Sequence, residues 1–157
     1  MDVSLQWKGR MTFEGAGDSG FVQRLDSDVS AGGDDSAARP MEYIAIGLAG
    51  CTAMDVISIL NKKKQAITGF EVRFHGGRAQ EHPKVFTQAV VEYLIHGLDV
   101  DEAAVLRAIE LSAEKYCPAQ AMLVKAFPIR LIYKIFDGES KALVKEGEYL
   151  QKEVLGV

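Results

Sequence analysis

Two cysteines are the residues of this 157-residue chain best suited to chemistry. Cys51 lies in the apolar stretch Pro40–Asn61, directly after Gly50, and Cys117 directly precedes Pro118. A glycine inside a helix often marks a break, and proline suits the first turn of a new helix. Each cysteine is therefore expected at a helix N-terminus, where unpaired N–H groups and the helix dipole lower a thiol pKa and favour the nucleophilic thiolate.

A free cysteine can also be a small buried apolar residue, and this second interpretation stays open for both positions. The N-terminal sequence MDVSLQWKGR has no apolar segment of the kind found in signal peptides, which predicts a cytoplasmic protein. Two cysteines in such a chain argue against a disulfide scaffold. They fit a redox or catalytic use, or plain burial.

The stretch around Cys51 is predicted to be the central helix of the fold. Across Pro40–Asn61 only Glu42 and Asp55 are charged, and a helix that is apolar nearly all round is normally buried. Its longest uncharged run, Tyr43–Met54, has 12 residues, against the roughly 20 that a membrane span needs. We therefore expect a core helix and no membrane partner.

The other elements must position the two cysteines. Alternating apolar residues predict strands near residues 3–8, 11–14, 21–26, 70–75, 85–96 and 129–135, and helical spacing predicts helices near 40–64, 99–116 and 118–125. Either Asp99 or Asp101 can cap the second helix. Because strands and helices come in blocks, the predicted class is α+β. We expect one domain over residues 1–137 and a charged tail over residues 138–157, which is predicted to be helical.

Arg10 and Glu42 are candidates for activating the thiol. A guanidinium near a thiolate would lower its pKa and bind a polar substrate oxygen, and Arg10 lies in a predicted turn between strands. Glu42 precedes Cys51 by nine residues and could hold an arginine in place. Glu42 can equally be a solvated first-turn carboxylate that favours the helix dipole. The chain offers three rival arginines: Arg24, Arg39 and Arg78.

Several other function classes are disfavoured. The net charge is −4 and no basic stripe is present, so nucleic acid is not expected as a partner. The histidines His75, His82 and His96 have no metal-ligand spacing, and the cysteines form no C-x2-C motif. No glycine-rich loop matches a nucleotide fingerprint. We expect neither a metal nor a cofactor.

Three segments together resemble the OsmC/Ohr family of osmotically inducible and organic hydroperoxide resistance proteins. These segments are Arg39–Glu42, Leu48–Val56 around Gly50-Cys51-Thr52, and Lys115–Pro118. The order of predicted elements is similar to that family from about Val3 to Phe136. A Gly-Cys inside a helix followed 66 residues later by Cys-Pro is a fairly specific combination.

The resemblance implies an intertwined α+β homodimer with two active sites at the subunit interface. It also implies a thiol-dependent peroxidase that reduces organic hydroperoxides, with Cys51 as the peroxidatic and Cys117 as the resolving cysteine. A dithiol such as a lipoylated protein would be the reductant. Arg10 is the nearest match to the family's activating arginine. The family's glutamate follows the proline directly, whereas here Met41 takes that place and Glu42 comes one residue later.

The function predicted from the sequence is therefore a cysteine-based peroxidase. The alternative from another class is a non-catalytic stress or ligand-binding protein on the same fold, with both cysteines serving as core packing. A third interpretation, a thiol hydrolase, lacks a histidine placed as its base.

Overall fold

Three antiparallel strands open the chain. The structure is a computed structural model that describes residues 1–150, and its residues 1–45 form one compact unit. Within this unit the sheet order is β1 (Val3–Gly9), β2 (Thr12–Gly17), β3 (Gln23–Leu25). The predicted meander is confirmed. On β1 the alternating residues Val3, Leu5 and Trp7 are all more than half exposed in the single chain.

The long loop after β3 is organised by one carboxylate. Asp26 is buried and accepts hydrogen bonds from the backbone N–H groups of Ser27, Asp34 and Ser36, and from the Ser36 hydroxyl. A side chain at Gly33 would collide with the Ser27 carbonyl oxygen, which would lie 2.0 Å from its Cβ. The loop is therefore a built structure, with a single 3-10 turn at Val29–Ala31.

The long apolar segment forms one continuous helix, α1 (Pro40–Lys62). Its buried residues recur every fourth position, at Leu48, Thr52, Val56 and Leu60, so one face is covered by the chain itself. The expected break or restart at Gly50 is wrong. One glycine costs a helix roughly 0.5–1 kcal/mol, which the burial of this face outweighs.

The helix α1 is also long and apolar enough to cross a membrane by length and composition, a test that core helices of soluble proteins pass too. Within its most apolar 18-residue window, 28% of the residues are buried in the single chain. Exposed apolar side chains remain on it at Ile44, Ile46 and Met54.

Residues 46–157 belong to a second compact unit, described up to residue 150. Its sheet has the order β4 (Ala66–Arg78), β5 (Phe86–Leu98), β6 (Ile129–Asp137), β7 (Leu143–Tyr149). The strands predicted near residues 70–75 and 85–96 are confirmed. They pair antiparallel as β4 and β5, and β6 runs parallel to β5. The centre of β5 is the most deeply buried strand segment, since residues 91–95 are buried on both faces of the strand.

The predicted helical tail is wrong where the structure describes it. Leu143–Tyr149 is strand β7, which pairs antiparallel with β6 and forms the edge of the sheet. Arg130 on β6 and Glu148 on β7 form a two-pronged ion pair with N–O distances of 2.9 and 2.6 Å. The remainder of the predicted tail, residues 151–157, lies outside the described residues.

Two helices and a wider turn connect β5 to β6. Helix α2 (Glu102–Leu111) is capped by Asp101, whose carboxylate accepts the Ala103 N–H at 3.0 Å. The helix continues into a π-helical turn at Ser112–Tyr116, and α3 (Pro118–Leu123) follows. Asp99 has a left-handed backbone, with φ of 49°, and is not the cap.

The core of this unit lies between the sheet and these helices. One continuous cluster of buried apolar side chains joins α1, β5, α2 and β6, and it includes Val56, Val91, Ile109, Cys117 and Leu131. Partly buried side chains of α3 pack against this cluster. The chain therefore has the predicted α+β architecture.

Candidate functional site

Cys51 lies in the middle of α1, between the buried residues Leu48 and Thr52. It is a free thiol of intermediate exposure and packs against the core cluster. Because α1 runs through this point without a break, the N–H groups around Cys51 belong to the interior of the helix. The expectation that a helix start would activate Cys51 is therefore wrong.

Cys117 occupies the predicted position, directly before the first turn of α3. It is the N-cap residue, and its Sγ accepts the Gln120 N–H at 3.3 Å. The thiol is 2% exposed. Burial is the main cause that raises the pKa of the Cys117 thiol to about 12, and the neighbouring Cys51 thiol adds to this rise. The expected lowering of this pKa is wrong, because desolvation of the thiolate exceeds the effect of the single capping hydrogen bond.

The fold brings the two cysteines together although 66 residues separate them in the chain. Both are free, and the Cys51 thiol lies close enough to Cys117 to raise the pKa of the Cys117 thiol. One thiol is buried and held as S–H, whereas the other is partly accessible. Such a pair can react in sequence: the accessible sulfur first, and the buried one with the product.

A buried network of hydroxyl groups lies beside the cysteines. The Thr52 hydroxyl contacts the Tyr93 hydroxyl at 2.6 Å and the Ser112 hydroxyl at 2.9 Å. The Ser112 hydroxyl also donates to Asp55 Oδ2 at 3.0 Å. Tyr93, Thr52 and Ser112 are completely buried. Burial is the main cause that raises the pKa of Tyr93, which therefore stays protonated.

The sequence interpretation missed this network as a feature of the site. Its signal was weak but present: Thr52 follows Cys51, Asp55 lies one turn further along the same helix, and Ser112 shares the buried stripe of α2. Tyr93 lies within the strand predicted near residues 85–96. Its hydroxyl partner could be assigned only once β5 was placed against α1.

Gln120 is a second buried polar residue next to Cys117. Its side chain is 1% exposed, and neither Nε2 nor Oε1 has a hydrogen-bond partner among the described residues. Its backbone N–H is the one that bonds the Cys117 sulfur. The sequence interpretation gave Gln120 no special place.

Arg10 and Glu42, the other predicted site residues, lie in the first unit and do not pair with each other. The Arg10 guanidinium binds the Asp34 carboxylate and the carbonyls of Gly32 and Gly33. Glu42 accepts the Arg39 N–H at 2.9 Å and forms an ion pair with the Arg39 guanidinium. Glu42 thus holds an arginine, but it is one of the three rivals rather than Arg10.

The described residues contain no cluster of three or more histidine, cysteine, aspartate or glutamate side chains arranged to hold a metal ion. A cavity of about 530 Å³ opens on the sheet beside His75, Gln88 and Arg130. His75 lies 3.6 Å from Glu92, which also binds Lys134 at 2.8 Å. Neither cysteine lines this cavity.

Comparison with known proteins gave three kinds of match. The family described as OsmC-like protein matches residues 33–132. Protein YhfA of Escherichia coli K12 is 37% identical over 135 residues, which cover 86% of this chain and 98% of YhfA.

Solved structures also match. A hypothetical protein from Aquifex aeolicus superposes with a TM-score of 0.76 at 26% identity, over 88% of this chain and 97% of that one. The organic hydroperoxide resistance protein OhrB of Bacillus subtilis superposes with a TM-score of 0.57 at 17% identity, over 85% and 96% of the two chains. At that identity the second likeness concerns the fold alone.

Proposed function

Since the chain belongs to the OsmC-like family, we propose that it is a thiol-dependent peroxidase that reduces organic hydroperoxides through Cys51 and Cys117. The observation that carries the proposal is the meeting of the two free thiols, one accessible and one buried, from distant parts of the sequence. The fold is shared with organic hydroperoxide resistance proteins, among them OhrB of Bacillus subtilis, which is in keeping with a redox role.

The proposed reaction uses the different environments of the two thiols. The Cys51 thiolate attacks the terminal oxygen of the hydroperoxide, the O–O bond breaks, and the alkoxide leaves as an alcohol after gaining a proton. Cys51 is left as a sulfenic acid. The Cys117 sulfur then displaces the hydroxyl oxygen, which leaves as water, and a Cys51–Cys117 disulfide forms. An external dithiol, such as a lipoylated protein, returns both residues to thiols.

The apolar surroundings favour an organic peroxide over a more polar one. On α1, the buried Leu48 lies three residues before Cys51, and the exposed Met54 lies three residues after it. Apolar side chains with few polar groups are typical of sites that bind small organic molecules. The substrate class is accordingly an alkyl or acyl hydroperoxide.

Arg10 and Glu42 are proposed to support the reactive thiol. A cation within about 4–6 Å lowers a thiol pKa by roughly 1–3 units. Glu42 supports this role because it already holds a guanidinium, that of Arg39. Arg10→Ala should raise the pKa of the Cys51 thiol, followed as thiolate absorbance in a Cys117→Ser background. If Arg39→Ala raises it and Arg10→Ala does not, the activating arginine is Arg39.

We also propose a cytoplasmic homodimer. Apolar side chains of β1 and α1, among them Leu5, Trp7 and Ile46, are about half exposed or more in the single chain. A second copy of this chain would cover such surfaces, as the intertwined dimer of the family implies.

The decisive experiment is a peroxide assay with single-cysteine variants. One equivalent of cumene hydroperoxide should remove both free thiols of the parent and give an intrachain Cys51–Cys117 disulfide, seen by peptide mass mapping. Cys51→Ser should consume no peroxide. Cys117→Ser should complete one turnover and then over-oxidise. Survival of both thiols, or consumption by Cys51→Ser at the parental rate, would contradict the peroxidase.

The second candidate is a non-catalytic binding protein on the same fold. One observation favours it: the Arg10 guanidinium already binds Asp34 and two backbone carbonyls. A thiol without a nearby cation would react with hydroperoxides no faster than free cysteine. The rate constant of Cys51 compared with that of free cysteine, at equal thiolate concentration, separates the two functions.

A further inference from the structure

The hydroxyl network beside the cysteines has a defined direction. The Ser112 hydroxyl donates its only proton to Asp55 Oδ2. The Ser112 oxygen then accepts from Thr52, and Thr52 in turn accepts from Tyr93. Each hydroxyl has one proton, so fixing the first donor fixes the others. The result is an ordered chain, Tyr93 to Thr52 to Ser112 to Asp55.

This chain of hydrogen bonds joins the two segments that carry the cysteines. Thr52 and Asp55 lie on α1, directly after Cys51 and one turn beyond it. Ser112 begins the π-helical turn that leads to Cys117, and its backbone carbonyl accepts the Cys117 N–H at 2.9 Å. Ser112 therefore binds α1 with its side chain and Cys117 with its backbone.

Burying these polar groups costs free energy, so stability alone does not account for the network. Three fully buried hydroxyls and a carboxylate must lose water to form it, and a well-packed apolar set of the same shape would be about as stable. Its directional bonds, however, fix the distance between α1 and the π-helical turn more sharply than apolar contacts do. A reaction between two sulfurs depends on such a distance, since a misplacement of about 1 Å can cost a factor of roughly 100 in rate.

We propose that Thr52, Asp55, Tyr93 and Ser112 are positioning residues for the resolving step, holding Cys117 in line with oxidised Cys51. This inference deepens the proposed function and rests on it for its biological meaning. In that step the Cys117–Cys51 S–S bond forms, the S–O bond of the sulfenic acid breaks, and the Cys117 proton leaves with the hydroxyl as water. The four residues take no part in these bond changes and act through the placement of Cys117.

The test uses an aromatic disulfide, 5,5′-dithiobis(2-nitrobenzoate), so that it does not depend on peroxide. Attack by Cys51 releases one aryl thiolate and leaves a mixed disulfide. Attack by Cys117 on the Cys51 sulfur then releases the second aryl thiolate, with the Cys117 proton passing to solvent. Stopped-flow absorbance separates the first release from the second, and the second measures the resolving attack.

Thr52→Val keeps the shape of the side chain and removes its hydroxyl, whereas Thr52→Ser keeps the hydroxyl. The second release should slow by about 10- to 100-fold in Thr52→Val and Ser112→Ala, because the placement of Cys117 is lost. It should stay within about twofold of the parent in Thr52→Ser, which retains the hydrogen bonds. The exposed Ser58→Ala on the same helix is the matched control for a lost hydroxyl. The first release should be unchanged in all four variants.

Two results would overturn the inference. An unchanged second release in both Thr52→Val and Ser112→Ala would show that Cys117 needs no such support. Equal slowing of both releases, with lowered thermal stability, would show a network that serves the core alone. A parent that releases both thiolates normally but consumes no hydroperoxide would contradict the proposed peroxidase while leaving the positioning result intact.

Discussion

At the scale of single residues, Asp26 shows how one buried carboxylate organises the loop between Leu25 and Pro40. Hydrogen bonds from the Ser36 side chain and backbone, and then from Ser27 and Asp34, hold the pKa of Asp26 well below its usual range. A carboxyl with a lowered folded-state pKa stabilises the fold at any pH above its unfolded value of about 3.9. That contribution is lost as the pH falls through the folded value.

Asp26→Asn should therefore destabilise the protein at pH 7, because the neutral amide cannot accept all four bonds. The difference in free energy of unfolding between parent and variant should shrink as the pH falls below about 4. Urea unfolding at pH 7 and pH 3 would measure it. A difference that is equal at both pH values would mean that shape, not charge, makes Asp26 important.

The residue scale also shows why the position of Cys117 was easier to predict than its pKa. Pro118 restricts the backbone before and after it, so the N-cap position of Cys117 follows from local sequence. The burial of Cys117 does not follow from local sequence, because the residues that cover it belong to α1 and the core. The capping hydrogen bond is a local feature, whereas desolvation is a tertiary one, and here the tertiary effect is larger.

At the scale of elements, the cap of α2 offers a sharp test. The sequence left Asp99 and Asp101 as alternatives, and the structure assigns the cap to Asp101. Asp101→Ala should lower the free energy of unfolding by about 1 kcal/mol, since a helix N–H loses its acceptor. Asp101→Asn should restore nearly all of this, because asparagine caps equally well.

Thermal or urea unfolding of the two Asp101 variants and of Asp99→Asn would complete the comparison. Asn accepts the left-handed backbone at position 99, so this control should match the parent. A loss of stability at position 99 and none at position 101 would contradict the assignment.

Elements with one buried face were predictable, and the exposed edge strand was not. Strand β5 and helix α1 carry periodic apolar residues because one side of each faces the core. Strand β7 has both Leu143 and Val144 exposed, so it lacks the period-two pattern that identifies a strand. It forms because β6 presents a free edge, supported by the pair Arg130–Glu148. The hydroxyl network also escaped prediction, because its partners lie on separate elements.

At the scale of the whole molecule, the single chain leaves a set of large apolar side chains exposed. On β1 every second residue, Val3, Leu5 and Trp7, is apolar and more than half exposed, so one face of this strand is unsuited to water. The proposed homodimer would cover it. Sedimentation at low micromolar concentration should show one species of twice the chain mass of 17.2 kDa.

Leu5→Lys places a charge on that face and should shift the sedimenting species toward the monomer, because burying an unpaired ammonium group is costly. Ser4→Lys adds the same charge on the opposite face of the same strand and should leave the dimer intact. Because obligate dimers often have no stable folded monomer, circular dichroism of Leu5→Lys should show a parallel loss of structure with dilution. A parent that sediments as a folded monomer, or a Leu5→Lys variant as dimeric as Ser4→Lys, would rule out this face as the subunit interface.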